Sequence, residues 1–174
     1  FLTLNLTLFL LFYDCSKNAA KDKSDVTVSF QTDFEDMSQK SVWKNLVIKY
    51  DSLAFSGTYV CECPINKTYA MGFDLMMDDS IGNRNALFNI DVKLKSEKQP
   101  EAKFAFSIER NNEIIFWHAF PLTDGYVYNE WYESSFVLNV PNDVLKNSKL
   151  NCYFHNLNKS HFYIDDFDLN IRLY

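Results

Sequence analysis

The chain has little of several residues whose abundance marks particular protein classes. It contains only 4 Gly and 4 Pro among 174 residues, which excludes collagen-like and low-complexity chains. Lys and Arg number 17 against 23 Asp and Glu, giving a net charge of −6. The lysines are scattered among acidic residues, whereas a nucleic-acid surface needs a basic stripe. Nucleic acid is therefore excluded as an expected partner.

The common signatures of catalysis are also missing. The 3 histidines, His118, His155 and His161, have no HxH or HExxH spacing for a metal. No GxSxG nucleophile elbow occurs, and the ExDxxE strand motif of sandwich-fold glycanases is absent. The sequence therefore predicts a protein that is not an enzyme.

Apolar residues are plentiful, and their spacing predicts strands. Hydrophobic residues make up 47% and aromatic residues 17% of the chain, enough for a large core. Phe88, Ile90, Val92 and Leu94 alternate with polar residues, which is typical of a half-buried strand. Asn111-Asn112 fits a two-residue hairpin turn, because Asn tolerates positive φ. Helical signal is limited to one turn at 142–146.

About ten short strands without helical crossovers indicate an all-β fold, an antiparallel sandwich or barrel. We expect one domain over 26–174, a two-sheet jelly-roll sandwich whose first and last strands are adjacent. Trp43 and Trp131 are expected in its core.

The N-terminal segment, residues 1–17, indicates a membrane address. Residues 1–13 are almost entirely apolar and are expected to be helical, but a spanning helix needs roughly 20 such residues. The segment fits the end of a truncated transmembrane helix, or a secretory signal with Cys15 as a lipid-modified cysteine. Residues 18–25 form a short polar linker. Both alternatives predict a membrane-anchored, extracytoplasmic domain, in the periplasm or at the cell surface.

The cysteines leave two alternatives. A disulfide from Cys152 to Cys61 or Cys63 fits an oxidising compartment, whereas buried free thiols in the core are the favoured interpretation. A single C-x-C pair with one distant Cys is weak evidence for zinc.

Several phrases, spaced along nearly the whole of 26–174, carry a resemblance. In order they are Phe34-Glu35, Trp43, Ser56-Gly57-Thr58-Tyr59, Trp131, Phe136-Val137-Leu138 and Tyr163-Ile164-Asp165-Asp166. This order resembles the galactose-binding-like jelly roll, and within it the carbohydrate-binding modules of bacterial polysaccharide enzymes, of the "FE…W…SG…yiDD" type. The chain departs from that pattern at Asp33, where glycine is common, and by the additional Asp36.

The resemblance implies a structural calcium ion between the first and last strands. The corresponding positions are Glu35, Asp165 and Asp166, with backbone carbonyl groups near Ser56 and Gly57. Calcium takes six to eight oxygen ligands. The alternative is that the carboxylates face solvent or cap backbone N–H groups.

Aromatic and polar residues suggest where a glycan could bind. Sugar recognition needs flat aromatic faces and polar partners for the hydroxyl groups. Candidates are Trp117, together with Tyr126, Tyr128, Asn129 and Glu130 in the long loop 123–131, since loops on rigid scaffolds often carry binding. The expected function is a non-catalytic, membrane-tethered module resembling a carbohydrate-binding module. The alternative is a ligand-free accessory domain at the C-terminus of a larger membrane protein.

Overall fold

The computed structural model describes residues 26–36, 43–52, 54–77 and 83–174, so the predicted N-terminal segment (1–17) and linker (18–25) lie outside the described residues. Strands are nearly all of the regular secondary structure in the described chain. Its elements are β1 (Val26–Thr32), β2 (Trp43–Lys44), β3 (Ile48–Tyr50), β4 (Tyr59–Cys63), β5 (Tyr69–Met77), β6 (Ala86–Lys95), β7 (Lys103–Arg110), β8 (Glu113–Pro121), β9 (Trp131–Val140), α1 (Asn142–Leu145), β10 (Ser148–His155) and β11 (Phe162–Leu173).

Two antiparallel sheets form the sandwich. One has six strands in the order β3-β4-β11-β6-β9, with β1 also paired to β11. The other has five strands in the order β2-β5-β10-β7-β8. The first and last strands pair from Val26 with Leu173 to Thr32 with Phe167. The predicted fold class and the predicted adjacency of the terminal strands are confirmed.

The long last strand changes partner along one of its edges. Residues 162–164 pair with β4, whereas residues 167–173 pair with β1. Between these two stretches the register with β6 shifts after Asp165, which marks a bulge. The Asp165-Asp166 pair therefore lies where β1, β4 and the loop before β4 meet.

Alternation of apolar residues builds the core between the sheets. In β6 and β10 every second side chain is buried, as the two-residue period of a strand requires. Aromatic rings occupy the centre, where Phe104 lies 5.0 Å from Phe154 and 5.7 Å from Phe167 between ring centroids. Trp43 is buried against Phe73 and Phe167, so its predicted core position is confirmed.

Trp131 is not a core residue, and that prediction was wrong. It begins β9, where alternate side chains from position 131 onward point away from the buried face. Its half-buried ring lies 6.2 Å from the ring of Phe55, and the ammonium group of Lys95 lies 5.9 Å from its centroid. The residue that follows it, Tyr132, takes the buried position instead.

Local predictions for the turn and the helix hold. Asn111 and Asn112 have φ values of 53° and 64°, and they join β7 to β8 where Arg110 pairs with Glu113. The helical turn is α1, four residues long. No helix among the described residues is long and apolar enough to cross a membrane.

The cysteines within the described residues are free thiols. Cys61, Cys63 and Cys152 are all buried and unpaired by disulfides. Burial raises the pKa of Cys61 and of Cys63 to about 12, because a thiolate is poorly solvated in an apolar core. The favoured interpretation of buried thiols is confirmed.

Candidate functional site

The Asp165-Asp166 pair of the last strand holds the loop before β4 through hydrogen bonds. Asp165 is fully buried, and its Oδ2 accepts hydrogen bonds from the backbone N–H groups of Phe55 (2.9 Å) and Ser56 (3.2 Å). The hydroxyl of Ser56 donates to Oδ1 of Asp166 at 2.6 Å. Burial raises the pKa of Asp165 to about 6, and the backbone N–H donors oppose that shift. One end of the loop is thus fixed to the bulge of β11.

Glu35 fixes the other end of the same loop. Its Oε1 accepts the backbone N–H groups of Thr58 (2.6 Å) and Tyr59 (2.7 Å), and its Oε2 accepts the Thr58 hydroxyl (3.0 Å). These hydrogen bonds lower the pKa of the Glu35 carboxyl group. Gly57 makes this approach possible, since it has a φ of +59° and a Cβ there would lie 2.4 Å from Oε1 of Glu35.

We name this arrangement the carboxylate clasp: Glu35, Asp165 and Asp166 gripping residues 55–59. The structure thus brings all five predicted calcium positions into one region. The hydrogen bonds nevertheless use most of the acceptor capacity of Glu35 and Asp165, because a carboxylate has about four lone-pair sites. Three are taken on Glu35 and three on Asp165, the third by the Asp166 N–H.

No three His, Cys, Asp or Glu side chains within the described residues are placed so that they could hold one metal ion. The contacts match the alternative in which carboxylates cap backbone N–H groups. Calcium binding at the clasp remains a prediction.

A second candidate site lies on the exposed face of the five-stranded sheet. Residues paired across antiparallel strands point to the same face. In β10 the side chains of Leu150, Cys152 and Phe154 are buried in the core. The alternate side chains, those of Asn151, Tyr153 and His155, therefore face outward. Their neighbours across the sheet share that face.

Aromatic rings cluster on this face. Tyr69 lies 5.5 Å from Tyr153 and 5.4 Å from His155, and it is nearly parallel to His155 with an interplanar angle of 8°. The Nε1–H of Trp117 donates to the hydroxyl of Tyr153 at 3.3 Å. Trp117 is 48% and Tyr69 55% exposed, so flat ring surface is open to solvent. We call this surface the aromatic face.

The floor beneath the rings is made of small residues. Tyr153 pairs with Gly72 on one side and with Ala105 on the other. A Cβ at Gly72 would lie 2.8 Å from the Cβ of Tyr153 and 2.4 Å from the Cys152 carbonyl oxygen. Gly72 therefore allows Tyr153 to lie close to the sheet.

A polar row runs beside the rings. The side chain of Asp74 forms ion pairs through Oδ2 with Lys44 and with Lys149 (2.7 Å). The Nδ2 of Asn151 donates to Oε1 of Glu109 at 2.8 Å and to the Ser107 hydroxyl at 3.3 Å. Acceptors and donors thus stand next to aromatic surface on one rigid sheet.

Two cavities open on the aromatic face. The larger groove, of about 340 Å³, includes Tyr69, Tyr153, Asp74, Asn151 and Ile114 in its lining. The smaller cavity, of about 200 Å³, is lined by Trp117, His155, Lys103, Glu101, Leu157 and Asn158. The linked rings of Tyr69, Tyr153 and His155 join the two. Concave surfaces with a few convergent polar groups are the usual form of a ligand site.

The structure separates the residues that the sequence suggested for a glycan. Trp117 lies on the aromatic face. Tyr126 is half-buried, with its ring 5.7 Å from that of Tyr132. Tyr128 is 70% exposed, the backbone N–H of Asn129 donates to the Ser96 carbonyl at 2.9 Å, and Glu130 is exposed. Those four residues belong to the 123–131 loop and have surroundings different from those of Trp117.

Sequence reasoning missed Tyr69, Asn151, Tyr153 and His155. The signal was present in the run 148–155, where buried residues alternate with outward Tyr and His side chains. An aromatic residue at an outward position of a strand is the feature that identifies such a surface. What the sequence does not contain is the pairing that brings 69, 117 and 153 together.

No protein-family model matches this sequence, and no curated protein matches it. Solved structures do resemble the fold. One is "CBM35 from Cellvibrio japonicus Abf62", at 8% identity and a TM-score of 0.54 over 82% of this chain and 92% of that one.

Another is the CBM22-1 xylan-binding domain from Paenibacillus barcinonensis Xyn10C, at 20% identity and a TM-score of 0.50 over 83% of this chain and 92% of that one. A cyclase from Fischerella sp. TAU aligns at 11% identity with a TM-score of 0.46, over 82% of this chain and 83% of that one. At these identities the likeness concerns the fold. The sandwich is of the kind seen in carbohydrate-binding modules, as the sequence resemblance implied.

Proposed function

We propose that this chain is a non-catalytic module that binds glycan through its aromatic face. The observation that carries the proposal is the group formed by the exposed rings of Tyr69 and Trp117 and the half-buried ring of Tyr153, beside a polar row on one sheet. The likeness of the sandwich to carbohydrate-binding modules supports it. Fold likeness alone does not establish a ligand, because one fold serves many functions.

The aromatic face combines apolar ring surface with polar side chains, and a sugar combines an apolar C–H face with hydroxyl groups. Ring surface at Trp117 and Tyr153 offers contact to the apolar C–H face, where aromatic side chains supply large, rigid apolar area. Asp74 and Asn151 offer oxygen acceptors to hydroxyl groups, and Lys44 offers a donor. Strand positions hold these groups in place, so little ordering entropy is lost on binding.

Affinity electrophoresis in polysaccharide gels tests the proposal. Tyr153→Ala is expected to abolish retention, since buried or clustered aromatic anchors dominate small interfaces and typically contribute about 2 kcal/mol or more, a loss of roughly 30-fold. Tyr128→Ala is the matched control, an exposed tyrosine in the 123–131 loop. Retention lost with Tyr128→Ala and kept with Tyr153→Ala would move the site to the loop residues Tyr126, Tyr128, Asn129 and Glu130.

The ligand-free accessory domain is the competing function. It predicts no retention of the wild-type chain on any polysaccharide, with both variants folded normally. A panel of plant, microbial and animal polysaccharides, each with a melting curve for every variant, separates the two functions.

We also propose that the module is tethered to a membrane and faces the extracytoplasmic side. The support is the apolar segment at 1–13 followed by the polar 18–25 stretch, which suits an anchor that needs a membrane. Detergent phase partition of the chain with and without residues 1–17 tests the tether. Equal partition of both forms into the aqueous phase would contradict it.

A further inference from the structure

The charged groups in and beside the larger groove balance one another. Lys44 and Lys149 both contact Oδ2 of Asp74. Lys149 is also paired in register with Glu109 across the strands. The two ammonium groups are therefore matched by two carboxylates.

The smaller cavity is balanced in the same way. It contains one acid, Glu101, and one ammonium group, Lys103. Burial, and then the neighbouring Lys103, lower the pKa of His155 below its ordinary value, so a positive charge on the imidazole ring is disfavoured. The chain as a whole is acidic, with a net charge of −6.

We propose that the aromatic face selects uncharged glycans over uronate-bearing or sulfated ones. This inference rests on the proposed function and names the ligand class of that same face. A carboxylate or sulfate group entering the larger groove would meet the Lys44 ammonium group, which Asp74 already engages, and it would lie near the carboxylate of Glu109.

Three physical effects favour the neutral ligand. An anion close to ammonium groups that are already paired with Asp74 gains little net attraction for the hydration it gives up. Sugar hydroxyl groups both donate and accept hydrogen bonds. They therefore match a row in which Asp74 accepts, Lys44 donates and Asn151 can do both. The acidic chain also repels long anionic polymers before contact.

The test compares neutral gels (xylan and hydroxyethylcellulose) with an anionic gel (polygalacturonate) at low and moderate salt. Wild-type protein is expected to be retained by a neutral gel and at least tenfold less by polygalacturonate. Asp74→Asn leaves Lys44 and Lys149 with one positive charge in excess. It is expected to gain retention on polygalacturonate severalfold, and salt should weaken that gain.

Glu97→Gln is the matched control, because it makes the same charge change at an exposed residue away from the groove. It is expected to leave every retention unchanged. Glu109→Gln repeats the test within the groove, should Asp74→Asn fail to fold.

Wild-type preference for polygalacturonate, lost in Tyr153→Ala, would overturn the ligand class while leaving the proposed function intact. Equal gains in Asp74→Asn and Glu97→Gln would overturn it as well, since overall charge alone would then explain the change. Absence of retention on every gel would instead refute the proposed function.

Discussion

Replacing Gly57 by Ala tests the carboxylate clasp most directly. The new Cβ would lie 2.4 Å from Oε1 of Glu35, whereas ordinary contacts begin near 3.4 Å. The carboxylate must therefore withdraw by about 1 Å, and N···O distances beyond about 3.5 Å no longer count as hydrogen bonds. The bonds from the N–H groups of Thr58 and Tyr59, now 2.6 and 2.7 Å long, would be lost.

The backbone adds its own cost. Gly57 has a φ of +59°, and an L-residue in this left-handed region costs about 1–2 kcal/mol. In a domain of this size 1 kcal/mol lowers Tm by about 2–4 °C, so the backbone alone predicts a fall of about 2–8 °C. Loss of the Glu35 bonds should increase the fall beyond that range.

Gly125→Ala is the matched control. Gly125 also has a positive φ, +77°, but a Cβ there meets only the Glu133 carbonyl oxygen at 3.0 Å and a Tyr132 ring carbon at 3.8 Å. It therefore reports backbone strain and one tight contact without the clasp. Thermal melting followed by circular dichroism measures both variants.

A double-mutant cycle completes the argument. Glu35→Gln should lower Tm in the wild-type chain and have a much smaller effect in Gly57→Ala, where the side chain is already displaced. Our reasoning would be refuted by a fall for Gly57→Ala no larger than that for Gly125→Ala, or by fully additive effects in the cycle.

Four further outcomes are expected. If calcium binds the folded state, a hundredfold excess over its Kd raises apparent stability by about 2.7 kcal/mol; identical melting curves with calcium and with chelator would exclude the ion. Folding raises the pKa of Asp165 from 3.8 to about 6, so its stabilising contribution is complete below about pH 4 and is lost as pH rises through 6. The stability of Asp165→Asn relative to wild type should therefore increase as pH rises from about 4 to about 6. A stability difference between the two proteins that does not change with pH would contradict this. Peptide mapping after a thiol reagent should find Cys61 and Cys152 unlabelled in the native protein and labelled in denaturant; rapid native labelling would show that they are accessible. Tyr128→Ala should barely change Tm, whereas Tyr126→Ala should lower it because that ring packs against the core; equal Tm values would place both rings in solvent.

The clasp shows how far the sequence could specify a local region. The sequence predicted that Glu35, Ser56-Gly57 and Asp165-Asp166 lie close together. The reason was that the phrases containing them resemble, in their order, those of the galactose-binding-like jelly roll. The atoms that touch were decided by the bulge in β11 and by the positive φ of Gly57. Those two features turn backbone N–H groups toward the carboxylates, and a residue pattern does not encode that direction.

The aromatic face shows the opposite case. Trp117 could be recognised as a candidate, but its partner Tyr153 is 36 residues away along the chain. Tyr69 joins them because β5 and β8 lie on either side of the β10-β7 pair. Trp131 was predicted to lie in the core because tryptophan is usually buried. In the structure the inward positions of β9 begin at Tyr132, so Trp131 points away from the core.

By itself, the sequence determined the strand content, the single sandwich, the hairpin at Asn111-Asn112 and the contact between the terminal strands, since each follows from local periodicity, turn chemistry or a short motif. The tertiary structure alone decided which outward side chains share a surface and which charges offset one another there. Strand order and register set those relations, and both arise from packing between residues far apart in the chain.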